Sequence, residues 1–181
     1  MTEVEKSRGS YIRVTEVLYP FSGLQNINLD VVENAARRGG RVHKICEGIV
    51  TGIGEHDVDE EVWGYVQSFK HWWGEGRNVI EVEKRFWCDE NQFTGQVDMI
   101  LQTDYGMAIL DIKTSANPSK TWEAQGKAYA YLARKSGYDI KKIYFLHLNK
   151  HGKNPRILEY PVDDEFFLSI LKIYKFFFRK D

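Results

Sequence analysis

Two apolar runs, Phe93–Leu101 and Met107–Lys113, restrict the fold of this chain more than any other feature. They are short, rich in β-formers and separated by Asp104-Tyr105-Gly106, so they read as antiparallel neighbours. Val79–Trp87, set off by Asp89-Glu90-Asn91, extends them to a three-strand meander. Downstream, Pro118 and Ser119 introduce a helix through about Lys135, closed by Gly137. Lys142–Leu148 reads as a fourth strand, Arg156–Tyr160 as a fifth after a turn at Gly152, and Asp163–Phe178 as a final helix.

The stretch before the meander has helical periodicity. Residues 12–19 read as a short helix or turn stopped by Pro20. From Asp30, a plausible N-cap, the spacing of Val31, Val32, Ala35, Ala36, Val42, Ile45 and Ile49 predicts a helix interrupted near Gly39-Gly40. Glu60–Trp73 predicts another, with Val62, Val66, Phe69 and Trp73 roughly on one face. The succession of helices, three strands, helix and strand describes an α/β sandwich with a mixed sheet. At 181 residues, without repeats or a Pro/Gly-rich linker, the expectation is one domain over 1–181, helical over 1–75 and α/β over 76–181.

Composition excludes several classes. Hydrophobic residues at 43% and aromatics at 14% fit a packed core. No apolar run approaches the roughly 18 residues that span a bilayer, and MTEVEKSRGS lacks the apolar core of a signal peptide. A cytoplasmic protein with no membrane partner is expected. Cys46 and Cys88 are too few for a four-cysteine iron–sulfur cluster. The net charge of −1 neither supports nor excludes a nucleic-acid substrate. Basic residues cluster at 37–44, at 141–153, and in the tail at Lys172, Lys175, Arg179 and Lys180.

Asp111 and Lys113, two apart on a strand, project to the same side, with Ile112 opposite. Taken alone they fit an edge-strand salt bridge as well as a site. Asp98 on the neighbouring strand changes the balance, because like charges side by side in a sheet are destabilising unless a cation neutralises them. Carboxylate oxygens without thiolates suit Mg²⁺ or Mn²⁺. Glu83, within Glu81-Val82-Glu83 whose acids would share a face, reads locally as part of a solvated strand face. Gln125 and Tyr129, four apart on a helix, read locally as packing groups or as contacts to a phosphate or base. His43 follows Arg37-Arg38-Gly39-Gly40-Arg41-Val42, where glycines admit close backbone approach and Arg38 and Arg41 are candidates to meet phosphates. The segment Lys70-His71-Trp72-Trp73 with Arg77 reads as a helix end with core tryptophans ahead of a base-stacking surface.

Gly95-x-x-Asp98, Asp111-x-Lys113 and Gln125-x-x-x-Tyr129, preceded by Glu83 and a helical His43, resemble the PD-(D/E)XK nuclease superfamily. Within it they are similar to the RecB-like exonuclease branch, which includes mitochondrial genome maintenance and phage exonucleases. The resemblance covers roughly residues 11–131 and implies a restriction-endonuclease-like core, a central mixed sheet flanked by helices. It implies that His43, Asp98, Asp111 and the Ile112 carbonyl ligate Mg²⁺ or Mn²⁺. Lys113 would orient or help deprotonate the attacking water, Glu83 would assist at the metal, and Gln125 and Tyr129 would hold the strand or order the site. The family's leading Pro is absent, since Gln96-Val97 precede Asp98, and so are the flanking cysteines of iron–sulfur members. The expected function is a metal-dependent DNA exonuclease on single strands or DNA ends, in recombination, repair or replication, with protein partners from those pathways. A structure-selective or nicking endonuclease and a non-catalytic nucleic-acid-binding subunit are the alternatives.

Overall fold

The computed structural model describes residues 11–74 and 76–178; the N-terminal stretch 1–10 and the tail residues Arg179 and Lys180 lie outside them. The elements are β1 (Ile12–Arg13), α1 (Val14–Leu18), α2 (Leu29–Thr51), α3 (Glu60–Trp73), β2 (Asn78–Cys88), β3 (Phe93–Thr103), β4 (Gly106–Lys113), α4 (Lys120–Lys135), β5 (Ile140–His147), β6 (Arg156–Pro161) and α5 (Asp164–Phe178). β2, β3 and β4 form the expected antiparallel meander. α4 carries the chain over so that β5 runs parallel to β4, and β6 returns antiparallel to β5. The short β1 joins β3 in parallel at Phe93 and Thr94.

Helices cover both faces of this mixed sheet. On one, α4 packs with α1 and α5 against Val97, Ile100, Ile109, Ile143 and Phe145. On the other, Val42 and Ile45 of α2 and Val62, Val66 and Phe69 of α3 meet Met99, Leu101, Leu110, Ile112 and Leu146. β3 and β4 are thus buried from both sides, which is why they read as continuous apolar runs. Any charged group on them needs a partner.

α2 departs from expectation in two ways. Asn28, not Asp30, is its N-cap: the Asn28 side chain accepts the Asp30 N–H at 2.8 Å. The helix also runs unbroken through Gly39-Gly40. An interior glycine costs about 1 kcal/mol relative to alanine, too little to break a helix anchored by buried Val42, Ile45 and Cys46. A Cβ at Gly39 would lie 3.4 Å from Thr114 Oγ1 just past β4, an ordinary contact, so no close approach demands the glycine there. In α3 the buried position is Trp72, packed on Phe69, while Trp73 is half-buried; Lys70 is paired with Glu55. Cys46 and Cys88 are buried in separate cores. Among the described residues no helix is long and apolar enough to cross a membrane.

Candidate active site

Asp98 stands where β3 changes neighbours along one edge. β2 occupies the other edge from Phe93 to Gln102. On the near edge, the ladder to β4 runs from Thr103 to Met99 and stops, and β1 takes over only at Thr94 and Phe93. The strands fork between them, and Asp98 fills the fork: its Oδ2 accepts the Ile112 N–H at 2.6 Å. The Lys113 carbonyl is turned to the other side, where it accepts the Leu148 N–H at 2.8 Å. Backbone groups of successive strand residues alternate in direction, so the Ile112 carbonyl faces the fork together with its N–H.

Glu83 lies opposite Asp98, between the pairs Val82↔Met99 and Lys84↔Val97. Its φ of 49° is in the left-handed region, a conformation that costs a non-glycine residue of order 1–3 kcal/mol. Glu81 and Glu83 therefore do not share surroundings as a regular strand would require. Glu81 accepts from the Tyr138 hydroxyl and pairs with Lys84, while Glu83 turns to the fork and accepts from Gln96 Nε2 at 2.6 Å. His43 descends from α2, its Nδ1 3.1 Å from Asp98 Oδ1. One ligand atom each of His43, Glu83 and Asp98 lie within 4.8 Å of one another.

These groups perturb each other strongly. Burial would lower the His43 pKa, but the Asp98 charge and hydrogen bond, helped by Asp111, outweigh it and push it up to about 9. Burial would raise Asp98; His43 and the Ile112 N–H instead hold it below the usual carboxylate range. Glu83 is raised, by burial first and by the Asp98 charge second.

Asp111 and Lys113 form the adjoining wall. Asp111 is 2% exposed, and Lys113 Nζ lies 2.5 Å from its Oδ2. Lys113 is the ion-pair partner of this buried oxygen, which has no further hydrogen-bond partner among the described residues. Burial pushes the Asp111 carboxyl up to about 6; Lys113 opposes the shift and the Asp98 charge adds to it. From Lys113 a chain runs into α4: Nζ donates to Gln125 Oε1 at 2.8 Å, and Gln125 Nε2 donates to the Tyr129 hydroxyl at 2.8 Å. Burial raises the Tyr129 pKa, so the phenol stays protonated. Gly95 gives the ring its place, since a Cβ there would come 2.7 Å from Tyr129 Cε1.

This donor set fits a divalent cation. An imidazole nitrogen and the facing carboxylates of Glu83 and Asp98 share one place, with a strand carbonyl turned into the fork and the Asp111–Lys113 ion pair beside them. Repulsion there is relieved by a positive ion with oxygen and nitrogen ligands. The arginines lie elsewhere. Arg41 donates to Glu61 at 3.0 Å, to Asp59 at 2.7 Å and to the Asp57 carbonyl at 3.0 Å, on the α3 side of α2. Arg38 sits with its guanidinium 5.8 Å from the Tyr65 ring centre. Among the described residues neither forms an ion pair with Glu83, Asp98 or Asp111.

The residues that line the groove beside His43 and Glu83, about 540 Å³ in volume, include Gly39, Gly40, Lys44 and Glu47. Glu47 follows His43 by one helical turn, a spacing that marks a shared face. Gln96 had no such signal, because its role depends on the register between β2 and β3.

Comparison with known proteins gives the family and the fold. No curated protein matches the sequence. A candidate exonuclease from Eubacterium rectale has a similar structure, with a TM-score of 0.56 at 12% identity over 98% of this chain and 83% of that one. An alkaline exonuclease from Laribacter hongkongensis has a TM-score of 0.50 at 13% identity, over 93% and 88% of the two chains. These similarities concern the fold. The family model of the PD-(D/E)XK nuclease superfamily matches residues 25–172, and on that match, spanning most of its length, the chain belongs to the PD-(D/E)XK nuclease superfamily.

Proposed function

We propose that this nuclease is a Mg²⁺- or Mn²⁺-dependent deoxyribonuclease, an exonuclease on single-stranded DNA or DNA ends, with residues 1–181 as one nuclease domain. The observation that carries this reading is the meeting of His43, Glu83 and Asp98 within 4.8 Å, beside the buried Asp111–Lys113 pair. His43, Asp98, Asp111 and the Ile112 carbonyl would hold the ion, with Glu83 at its edge. When bound, the ion supplies Lewis-acid charge to a phosphoryl oxygen and lowers the pKa of a water.

The chain's own residues supply the rest. Lys113 places a positive charge beside the acids, where it orients a water and offsets the negative charge that builds on phosphorus-bound oxygens. Gln125 and Tyr129 fix the Lys113 ammonium through their hydrogen-bonded chain. Gly39 and Gly40 leave the α2 wall of the groove low, so a strand can approach His43 and Glu83 along it. Of the two arginines first considered for substrate, Arg38 is the better candidate, because Arg41 is committed to the N-terminus of α3. Fold neighbours named as exonucleases support end-directed cleavage.

The test is digestion of end-labelled linear single strands, duplex and closed circular single strands, after chelation and with Mg²⁺ or Mn²⁺ restored. Metal-dependent loss of the linear strand with the circle spared is expected. Cleavage of the circle would make the protein an endonuclease, and tight binding without cleavage of any form would sink the catalytic reading.

A further inference from the structure

Glu83 occupies an unfavourable position: its backbone is left-handed and its carboxylate faces that of Asp98. Something must hold it there. Its polar partner is Gln96, whose Nε2 donates to Glu83 Oε2 at 2.6 Å. Gln96 is held in turn by Arg85, directly across the β2–β3 ladder, whose Nη2 donates to Gln96 Oε1 at 2.6 Å. A guanidinium has donors and no acceptor, so it can bind the Gln96 amide only through oxygen. The amide nitrogen is thereby committed to Glu83. Among the described residues no carboxylate forms an ion pair with Arg85, and the Gln96 amide oxygen accepts its hydrogen bond.

We propose that Arg85, acting through Gln96, is a positioning relay that holds the Glu83 carboxylate toward His43 and Asp98, and so sets metal affinity and turnover. The inference rests on the reading of Glu83 as part of the metal cluster. Without the Arg85 donor the Gln96 amide can turn over, presenting its oxygen to a carboxylate that already faces Asp98. Glu83 then leaves the cluster, and the backbone at residue 83 loses the contact that offsets its strain. Gln96 stands two residues before Asp98, so the relay ties the two facing acids to one short piece of β3.

The test compares full-length Arg85→Met, Arg85→Lys, Gln96→Met and the Arg85→Met/Gln96→Met double variant. Mn²⁺ affinity is read by paramagnetic resonance titration, and kcat and KM on a single-stranded oligonucleotide. Arg85→Met and Gln96→Met should each weaken Mn²⁺ binding and lower kcat by about tenfold, the scale of lost outer-shell support, with KM nearly constant. The double variant should be no worse than Gln96→Met alone, and Arg85→Lys, which keeps a donor, should recover most of the loss. If Arg85→Met raises KM and flattens the salt dependence while Mn²⁺ affinity holds, Arg85 contacts the strand and the relay is wrong. Losses that multiply in the double variant also overturn it. Glu83→Gln separates the two levels. Unchanged Mn²⁺ affinity in that variant refutes the place of Glu83 in the cluster, whereas an effect there without one in Arg85→Met refutes the relay alone.

Discussion

Gly95→Ala tests the link between sheet geometry and the lysine. The added methyl would lie 2.7 Å from Tyr129 Cε1, 2.9 Å from Cδ1 and 3.0 Å from Leu132 Cδ1, whereas ordinary contact begins at 3.4 Å. The Tyr129 ring must therefore retreat by about 0.7 Å, into a core where Tyr129 and Leu132 are both buried. Overpacking of this kind costs about 1–3 kcal/mol, which in a protein of this size lowers the melting temperature by roughly 2–12 °C. The functional effect should exceed the loss of stability. The Tyr129 hydroxyl accepts from Gln125 at 2.8 Å, and Gln125 accepts from Lys113 at 2.8 Å. A hydrogen bond tolerates only a few tenths of an ångström before it weakens, so the displacement opens at least one link and frees the ammonium. Cleavage by the folded variant, assayed well below its melting temperature, should fall about tenfold or more. Tyr129→Phe, which breaks the chain without crowding, should show the same catalytic loss with a smaller thermal shift. A Gly95→Ala protein with native melting and native cleavage would refute both the packing argument and the role of the chain.

Three further outcomes follow from the same geometry. Asp111→Asn should reduce cleavage by at least about 100-fold, while the metal-free fold survives. Burial and Asp98 already disfavour the Asp111 charge, and that relief offsets part of the lost pairing with Lys113; retained cleavage in the purified variant counts against the site. In chelator, melting temperature should fall as pH rises. Asp98 and Asp111 overcome the effect of burial and raise the His43 pKa to about 9, so the folded protein holds this proton more tightly than the unfolded chain. That stabilisation is complete below the ordinary value of 6.5 and is lost as pH passes through about 9; Asp111, raised from 3.8 to about 6, adds a loss as pH rises between those two values. A flat melting profile between about pH 6 and about pH 9.5 contradicts the His43–Asp98 pairing. Affinity for single-stranded DNA should weaken with salt. Arg41→Gln should leave the slope of that dependence unchanged while lowering the melting temperature, because Arg41 spends its donors on Asp57, Asp59 and Glu61; a shallower slope in Arg41→Gln would return this arginine to the strand path.

Regular structure was legible where period and punctuation agreed. The polar turns at 89–91 and 104–106 separate β2, β3 and β4, and the helix over Glu60–Trp73 has the observed bounds. The i, i+2 rule brought Asp111 and Lys113 together, and the i, i+4 rule joined Gln125 to Tyr129. Expectation failed where local preference competed with burial. Gly39-Gly40 looks like a break, yet the apolar residues after it hold α2 in helix against the core. Asp30 has the chemistry of a cap, but Asn28 reaches the free N–H first. The arginines near His43 share its stretch of sequence and not its side of the helix: two residues are about 200° of turn, which sends Arg41 toward α3.

The least legible part of the site is the part built on interruptions of the sheet. A perfect ladder between β3 and β4 would pair the Ile112 N–H with backbone and leave Asp98 a buried acid without purpose. The fork frees that N–H for the Asp98 carboxylate and turns the Ile112 carbonyl to the same place. A regular β2 would send Glu83 the way Glu81 goes; the left-handed turn at residue 83 diverts it to Asp98. Period-two reasoning assumes these interruptions away, so it identifies the acids and misplaces their company. Each interruption costs stability, through an unpaired edge, a strained φ or like charges face to face. What they produce jointly is a concentration of negative charge around a histidine in a water-poor place, which a regular sheet cannot hold. A chain selected for stability alone would fill the fork with pairing strand and apolar side chains. Both interruptions converge on one cluster, and that convergence is the physical argument for reading the cluster as the site.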